Sequence, residues 1–207
     1  ALRSAVMPAL SAGLLPLALG LQSWLYPLAL LPGTLGLALL VRLRRRRAMP
    51  EGQEPVAAVL PPLRRWLGPL ALFLAGALVL VRLLGSPLVL YPPLLVLAWE
   101  SLARPEHCPW RGRLVAVLAV TGSAALIGLL LVRWLGPVPL ATLLAVLLVA
   151  LLLDRLRLSC PPAFAVALLP FVIHSPAIAF PLHVLAGTAW LVVVSVLTDG
   201  LGRRLGG

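Results

Sequence analysis

The sequence predicts an all-α integral membrane protein, with an N-terminal helical hairpin followed by two inverted three-segment repeats, each containing a half-helix broken by Pro-Pro. Three observations lead to this fold class. Hydrophobic residues make up 61% of the chain and charged residues 11%, with a mean hydropathy of +1.07, whereas soluble domains are about 25% charged. The apolar residues form eight separate segments, and the order of long and short segments recurs in the second part of the chain.

The eight apolar segments lie at residues 5–21, 24–41, 66–84, 87–101, 114–132, 138–153, 161–173 and 178–198. Arg3 precedes the first segment as it would in a signal peptide, but no clear small-residue cleavage site follows, so we expect a helix there. The first two segments form the predicted hairpin, residues 1–41. The polar, arginine-rich stretch 42–65 is predicted to be a cytoplasmic linker.

The remaining six segments contain a repeat. The letters WLGP occur at Trp66 and again at Trp134, and each copy leads through an apolar helix to a proline doublet, Pro92-Pro93 or Pro161-Pro162. A short apolar segment and a long one follow each doublet. We therefore assign residues 66–133 to repeat 1, residues 134–200 to repeat 2 and residues 201–207 to a cytoplasmic tail.

The basic residues predict the topology. The net charge is +11 and there is no lysine; the arginines lie at the ends of apolar segments, which is typical of a membrane surface and not of a nucleic-acid interface. If all eight segments cross, one side carries Arg3, the 42–65 cluster, Arg104, Arg111, Arg113, Arg155, Arg157, Arg203 and Arg204. Only Arg82 and Arg133 then lie on the other side of the membrane. If the short segments were re-entrant, the arginines would be divided between the two sides.

The crossing arrangement makes the second repeat upside down relative to the first, because each repeat has three crossings. It places both termini in the cytoplasm, and the expected location is the bacterial cytoplasmic membrane, crossed several times. The helices predicted at Pro93–Ser101 and Pro162–Ile173 would be about 13 and 18 Å long at roughly 1.5 Å per residue. Such half-length segments at matching places indicate a transport site near the bilayer midplane.

Facing N-termini of these half-helices would present free N–H groups and positive dipole ends to an anion. Extended backbone is expected at Gly85–Tyr91 and Leu156–Cys160. The predicted substrate-binding residues are Tyr91, Pro92, Pro93, Leu94, Ser159, Cys160, Pro161, Pro162, Ala163 and Phe164. Thr121, Ser123 and Thr188 are candidates for lining the cavity, with close helix packing as the alternative. The prolines could equally be simple kinks.

Other polar residues indicate no catalytic or metal site. Glu100 is expected in an interfacial ion pair, and His107 with its neighbours cannot easily surround one ion. Cys108 and Cys160 match no disulfide framework or zinc spacing. No His, Asp, Glu or Ser constellation suits catalysis, so we expect neither an enzyme nor a cofactor.

Two stretches resemble a known family. "SCPPAFAVALLPFVI" resembles the segment that names the HPP family of integral membrane proteins, and "YPPLLVLAWESLARPEHCPWRGR" resembles its other landmark. The resemblance covers roughly Trp66 to Pro176. Cys160 stands where the family has histidine, and Phe164 where it usually has glycine. The family is associated with nitrite transport in chloroplasts and cyanobacteria, so the resemblance implies a small-anion carrier.

The sequence thus favours a membrane transporter or channel for a small inorganic anion such as nitrite or nitrate. The expected partners are the lipid bilayer and the anion, with no nucleic acid, and homo-oligomerisation stays open. The alternative is a non-catalytic membrane structural or assembly subunit, which would explain the lack of deep charges but not the matched proline doublets.

Overall fold

The computed structural model describes residues 63–103, 108–110, 112–173 and 176–205, together with Leu35 and Leu39. Its elements are α1 (Leu63–Leu84), a 3-10 helix (Pro87–Leu90), α2 (Pro92–Leu102), α3 (Leu114–Leu135), α4 (Pro139–Leu156), α5 (Pro162–Val172) and α6 (Phe180–Leu205). These described residues contain helices and no strand. All of them except Leu35 and Leu39 belong to one compact unit that spans Leu60–Gly207. The predicted hairpin and most of the linker lie outside the described residues.

Four of the helices are long and apolar enough to cross a membrane: Trp66–Leu84, Leu114–Leu135, Pro139–Leu156 and Phe180–Thr198. Their outer faces carry large apolar side chains. Leu83 is 75% exposed and Val115 is 77% exposed, and many other large apolar side chains of these helices are exposed too, which is typical of helices that face lipid. The predicted all-α, membrane-embedded character is confirmed.

Helix bounds differ from the sequence prediction by a few residues. Helix α1 begins at Leu63, inside the stretch assigned to the linker, and α3 ends at Leu135, two residues beyond the predicted end of repeat 1. Helix α6 continues to Leu205, into the predicted tail. The helices are longer than the apolar segments because backbone hydrogen bonds continue into the polar residues at their ends.

Helices α2 and α5 are short, with 11 residues each, or about 16 Å at 1.5 Å per residue. Pro92 is the first residue of α2, and Pro161 is the N-cap residue of α5. Proline suits these positions because its fixed φ fits the first turn, where its missing N–H has no helical partner to lose.

The extended backbone expected at Gly85–Tyr91 is wrong for the middle of that stretch, where the 3-10 helix lies. Ser86 caps this helix by accepting a hydrogen bond from the amide of Leu88 at 3.3 Å, and Pro87 presets the first φ angle. Only the flanking Ser86 and Tyr91 are extended. After α4, Arg157 adopts a left-handed conformation with φ of 46°, and Leu158–Cys160 continue without helix.

Helix α3 packs against α4, α5 and α6, while α6 also contacts α1, α2 and the 3-10 helix. Small residues allow close approach in this core. A Cβ atom on Gly128 of α3 would meet the carbonyl oxygen of Ala167 in α5. Gly76 of α1 lies against the ring of Trp190 in α6, whose indole N–H donates to the carbonyl of Phe73 at 2.9 Å.

One end of the unit is held by polar contacts. The guanidinium group of Arg113, just before α3, donates to the carbonyls of Leu156 and Arg157 at 2.8 and 2.9 Å. These carbonyls lie at the end of α4, where they lack helical N–H partners. The start of α3 is therefore fixed beside the end of α4.

Candidate functional site

A cluster of three buried hydroxyl groups lies between the helices. The Tyr91 hydroxyl is 2.8 Å from the Oγ1 atom of Thr188, and the Oγ1 atom of Thr121 is 3.3 Å from that of Thr188. Tyr91 is 1% exposed, and both threonines are 0% exposed. We call these three side chains the hydroxyl cluster. It joins the head of α2 to α3 and α6.

Helix positions place the hydroxyl cluster well inside the apolar spans. Thr121 lies seven residues after the first residue of α3, and Thr188 lies eight residues after the first residue of α6. At 1.5 Å per residue these distances are about 10 and 12 Å. Polar groups at such depth in an apolar helix are rare and need partners, which these three residues find in one another and in helix carbonyls.

Gly187 allows Tyr91 to reach Thr188. A Cβ atom on Gly187 would meet the carbonyl oxygen of Val89 in the 3-10 helix and would lie 2.8 Å from the Cδ2 atom of Leu94 in α2. The missing side chain thus lets the segment around Tyr91 lie directly on α6. Because Thr188 is the next residue, this close contact also sets the position of its hydroxyl.

The hydroxyl hydrogens in the cluster can be assigned by counting donors. Thr188 donates to the carbonyl of Val184, and Thr121 to that of Val117, each at 2.9 Å. A threonine hydroxyl has one hydrogen, so in this arrangement Tyr91 is the donor to Thr188. A small acceptor entering the cluster would compete with Thr188 for the Tyr91 hydrogen.

Cys160 belongs to the same region. Its side chain is 1% exposed, and it stands just before α5, which contacts α2. Tyr91 and Cys160 each stand immediately before a proline doublet. Helices α2 and α5, which also contact each other, therefore bring corresponding residues of the two short segments together.

The free amide groups that we expected at the two helix starts are already bonded. The amide of Leu94 donates to the carbonyl of Tyr91 at 2.9 Å, that of Ala163 to Cys160 at 3.0 Å and that of Phe164 to Pro161 at 3.2 Å. A tight 3-10 turn at each helix start makes these bonds. The expectation of free N–H groups is wrong at these three residues, although the aligned peptide dipoles keep each helix start electropositive.

The remaining predicted site residues fall into two groups. Buried beside the helix starts are Pro92, Pro93, Leu94, Pro162 and Ala163. Phe164 and Ser123 are half-buried, while Ser159 and Pro161 are exposed. In the non-helical stretch Leu158–Cys160 burial alternates, so Ser159 points away from the side on which Cys160 is buried.

Ser195 is a buried hydroxyl residue that the sequence analysis missed. It lies in α6, is 5% exposed, and its Oγ atom has no hydrogen-bond partner among the described residues. Its spacing of seven residues from Thr188 is the signal that could have identified it, because residues seven apart lie on the same helix face.

The described ranges contain no group of three His, Cys, Asp or Glu side chains that could hold a metal ion. Comparison of the chain with models of known families, with curated proteins and with solved structures gives no match.

Proposed function

We propose that this protein is a membrane transporter or channel for a small inorganic anion such as nitrite or nitrate, with the hydroxyl cluster and Cys160 as the central contacts of the anion. Membership of the HPP family is part of this proposal. The observation that carries it is the buried hydroxyl cluster, which joins the first proline-headed helix to α3 and α6 deep inside the apolar unit.

Helix contacts support two inverted repeats as the framework of this transporter. In two equivalent repeats, α1, α2 and α3 correspond to α4, α5 and α6 in that order. The contact of α1 with α6 then corresponds to the contact of α4 with α3, and both contacts are present. The contacts of α2 with α6 and of α5 with α3 correspond in the same way, as do those of α1 with α2 and of α4 with α5. Three segments in each half give the two halves opposite orientations.

The same correspondence also relates the residues of the cluster. Thr121 and Thr188 occupy similar places in α3 and α6, and Tyr91 and Cys160 similar places before α2 and α5. A pseudo-two-fold axis would therefore pass near the cluster. In transporters built from inverted repeats, the substrate binds at the interface between the repeats near the bilayer midplane.

The chemistry of this region favours an anion. The Tyr91 hydroxyl would donate a hydrogen bond to it, and the starts of α2 and α5 add positive dipole ends. The acidic side chains that the structure describes lie elsewhere: Glu100 is near the end of α2, and Asp154 is exposed near the end of α4. Among the described residues, a cation would find no carboxylate partner at the cluster.

A flux measurement tests the proposed function. The purified protein is reconstituted into liposomes, and uptake of nitrite, nitrate, chloride and formate is followed one anion at a time. We expect protein-dependent uptake of at least one of them, and competition between that anion and its relatives. A well-inserted protein that carries none of the four would favour the structural or assembly subunit instead.

A further inference from the structure

Ser195 differs from the threonines of the long helices. Four threonines donate to a carbonyl three or four residues earlier in the chain, namely Thr121, Thr142, Thr188 and Thr198. The Oγ atom of Ser195 makes no such bond and finds no other partner among the described residues, although the side chain is 5% exposed. Its hydrogen is therefore available to a ligand.

Ser195 lies on the same face of α6 as the hydroxyl cluster. Seven residues separate it from Thr188, and at about 100° per residue they fall roughly 20° short of two full turns. The rise over seven residues is about 10 Å. The Ser195 hydroxyl thus follows the cluster along one face of one helix, toward the C-terminal end of α6.

We infer that Ser195 is a second contact for the transported anion, between the hydroxyl cluster and the C-terminal end of α6. This inference rests on the proposed function. A buried hydroxyl without a partner is unfavourable in an apolar interior and is uncommon in folded proteins. A ligand that accepts a hydrogen bond as it passes along this face of α6 explains why a serine is present there.

The first test measures access and ligand protection at residue 195. Ser195→Cys protein in lipid nanodiscs, open to solution on both faces, is treated with a small water-soluble methanethiosulfonate, and mass spectrometry locates the modified cysteine. We expect modification at residue 195 that nitrite, nitrate or chloride slows by severalfold. The matched control is Val194→Cys. Val194 is 0% exposed and points about 100° away from Ser195 on the helix, so a cysteine there should stay unmodified.

Absence of modification at residue 195 would overturn the inference, since it would place the side chain in dry packing. Modification that none of the three anions slows would overturn it as well, because the site would then be hydrated without binding the ligand.

The second test uses Ser195→Ala in the flux assay. Loss of one hydrogen bond to a charged ligand should raise the apparent KM about tenfold or more. The midpoint of thermal unfolding should stay unchanged or rise, because the substitution removes a buried hydroxyl without a partner. A purely structural serine would leave KM unchanged, and that result would overturn the inference.

Failure of the inference and failure of the proposed function give different results. If the wild-type protein carries no anion, the proposed function fails whatever residue 195 does. A different result is possible in which the wild-type protein carries an anion, Tyr91→Phe impairs its uptake and Ser195→Ala has no effect. In that case the proposed function stands and only the second contact at Ser195 is wrong.

Discussion

The hydroxyl groups of Tyr91 and Thr188 are 2.8 Å apart, although 97 positions separate the two residues in the chain. Tyr91 stands at the head of α2, and Thr188 lies well inside the apolar span of α6. Their hydrogen bond therefore ties a short, proline-headed helix to a full-length one. The Tyr91 hydroxyl, which we propose as a contact of the anion, therefore also contributes to the stability of the unit.

Thr188→Val should destabilise the protein. Valine keeps the shape of threonine but leaves the buried Tyr91 hydroxyl without this partner, so the free energy of unfolding should fall by about 1–3 kcal/mol. Thr142→Val is the matched control, because the Thr142 hydroxyl also bonds to a carbonyl four residues earlier, that of Val138, but at an exposed position. Its effect should stay within about 0.5 kcal/mol. Unfolding in mixed micelles gives both values, and equal effects would contradict the role given to Thr188.

Gly187→Ala should separate the 3-10 helix from α6. The new methyl group would meet the carbonyl of Val89, and such overpacking costs about 1–3 kcal/mol of stability. Gly68→Ala in α1 is the control, because a Cβ atom there meets nothing within 4 Å; its effect should stay below about 1 kcal/mol.

A double-mutant cycle connects Gly187 with the hydrogen bond. If the bulk of alanine moves Tyr91 away, adding Thr188→Val to Gly187→Ala should cost less than Thr188→Val alone. Strict additivity would show that the two contacts are independent, contrary to the geometry described above.

Arg157→Gly should stabilise the protein while Arg155→Gly destabilises it. Arg157 has a φ of 46°, a conformation that glycine adopts without the steric cost that an arginine bears. The expected gain is roughly 0.5–1 kcal/mol, because relief of the steric cost of the left-handed conformation exceeds the extra entropy that glycine loses on folding; the Arg157 carbonyl that accepts from Arg113 is retained. Arg155 lies in the last turn of α4, where glycine should cost roughly 0.5–1 kcal/mol. Thermal unfolding curves of the two variants should shift in opposite directions; shifts in the same direction would contradict this assignment.

The topology makes a separate prediction. In the crossing arrangement Arg155 faces the cytoplasm and Ile178, which is 74% exposed, faces the outside. On intact cells an impermeant thiol reagent should label Ile178→Cys, and should label Arg155→Cys only after the membrane is opened. Labelling of Arg155→Cys from outside would show that the proline segments dip into the membrane and return.

The long helices and the starts of the short ones could be predicted from sequence because their signals are local. Apolar length identifies a span, and a proline doublet marks a helix start through its own backbone chemistry. The bonded state of the Leu94, Ala163 and Phe164 amides could not be predicted in this way. Whether a helix begins with a 3-10 turn depends on the packing around it. Over three residues, the sequence does not distinguish a 3-10 turn from an α-helical turn.

The hydroxyl cluster was only partly predictable. Tyr91, Thr121 and Thr188 were each candidates, but the bond between Tyr91 and Thr188 depends on Gly187 and on contacts between helices far apart in the chain. Ser159 and Cys160 are neighbours that sequence reasoning treated alike. In the non-helical stretch that contains them, one of the two is exposed and the other is buried, which no composition or hydropathy pattern reveals.

The flux of Tyr91→Phe protein in liposomes tests the central claim most directly. This substitution removes one hydroxyl group from the hydroxyl cluster and keeps the aromatic ring in place. We expect the uptake of the transported anion to fall at least tenfold, as for one lost hydrogen bond to a charged ligand, while Thr142→Val protein keeps the wild-type rate. Wild-type uptake by a correctly inserted Tyr91→Phe protein would contradict the claim that the anion is bound at the hydroxyl cluster.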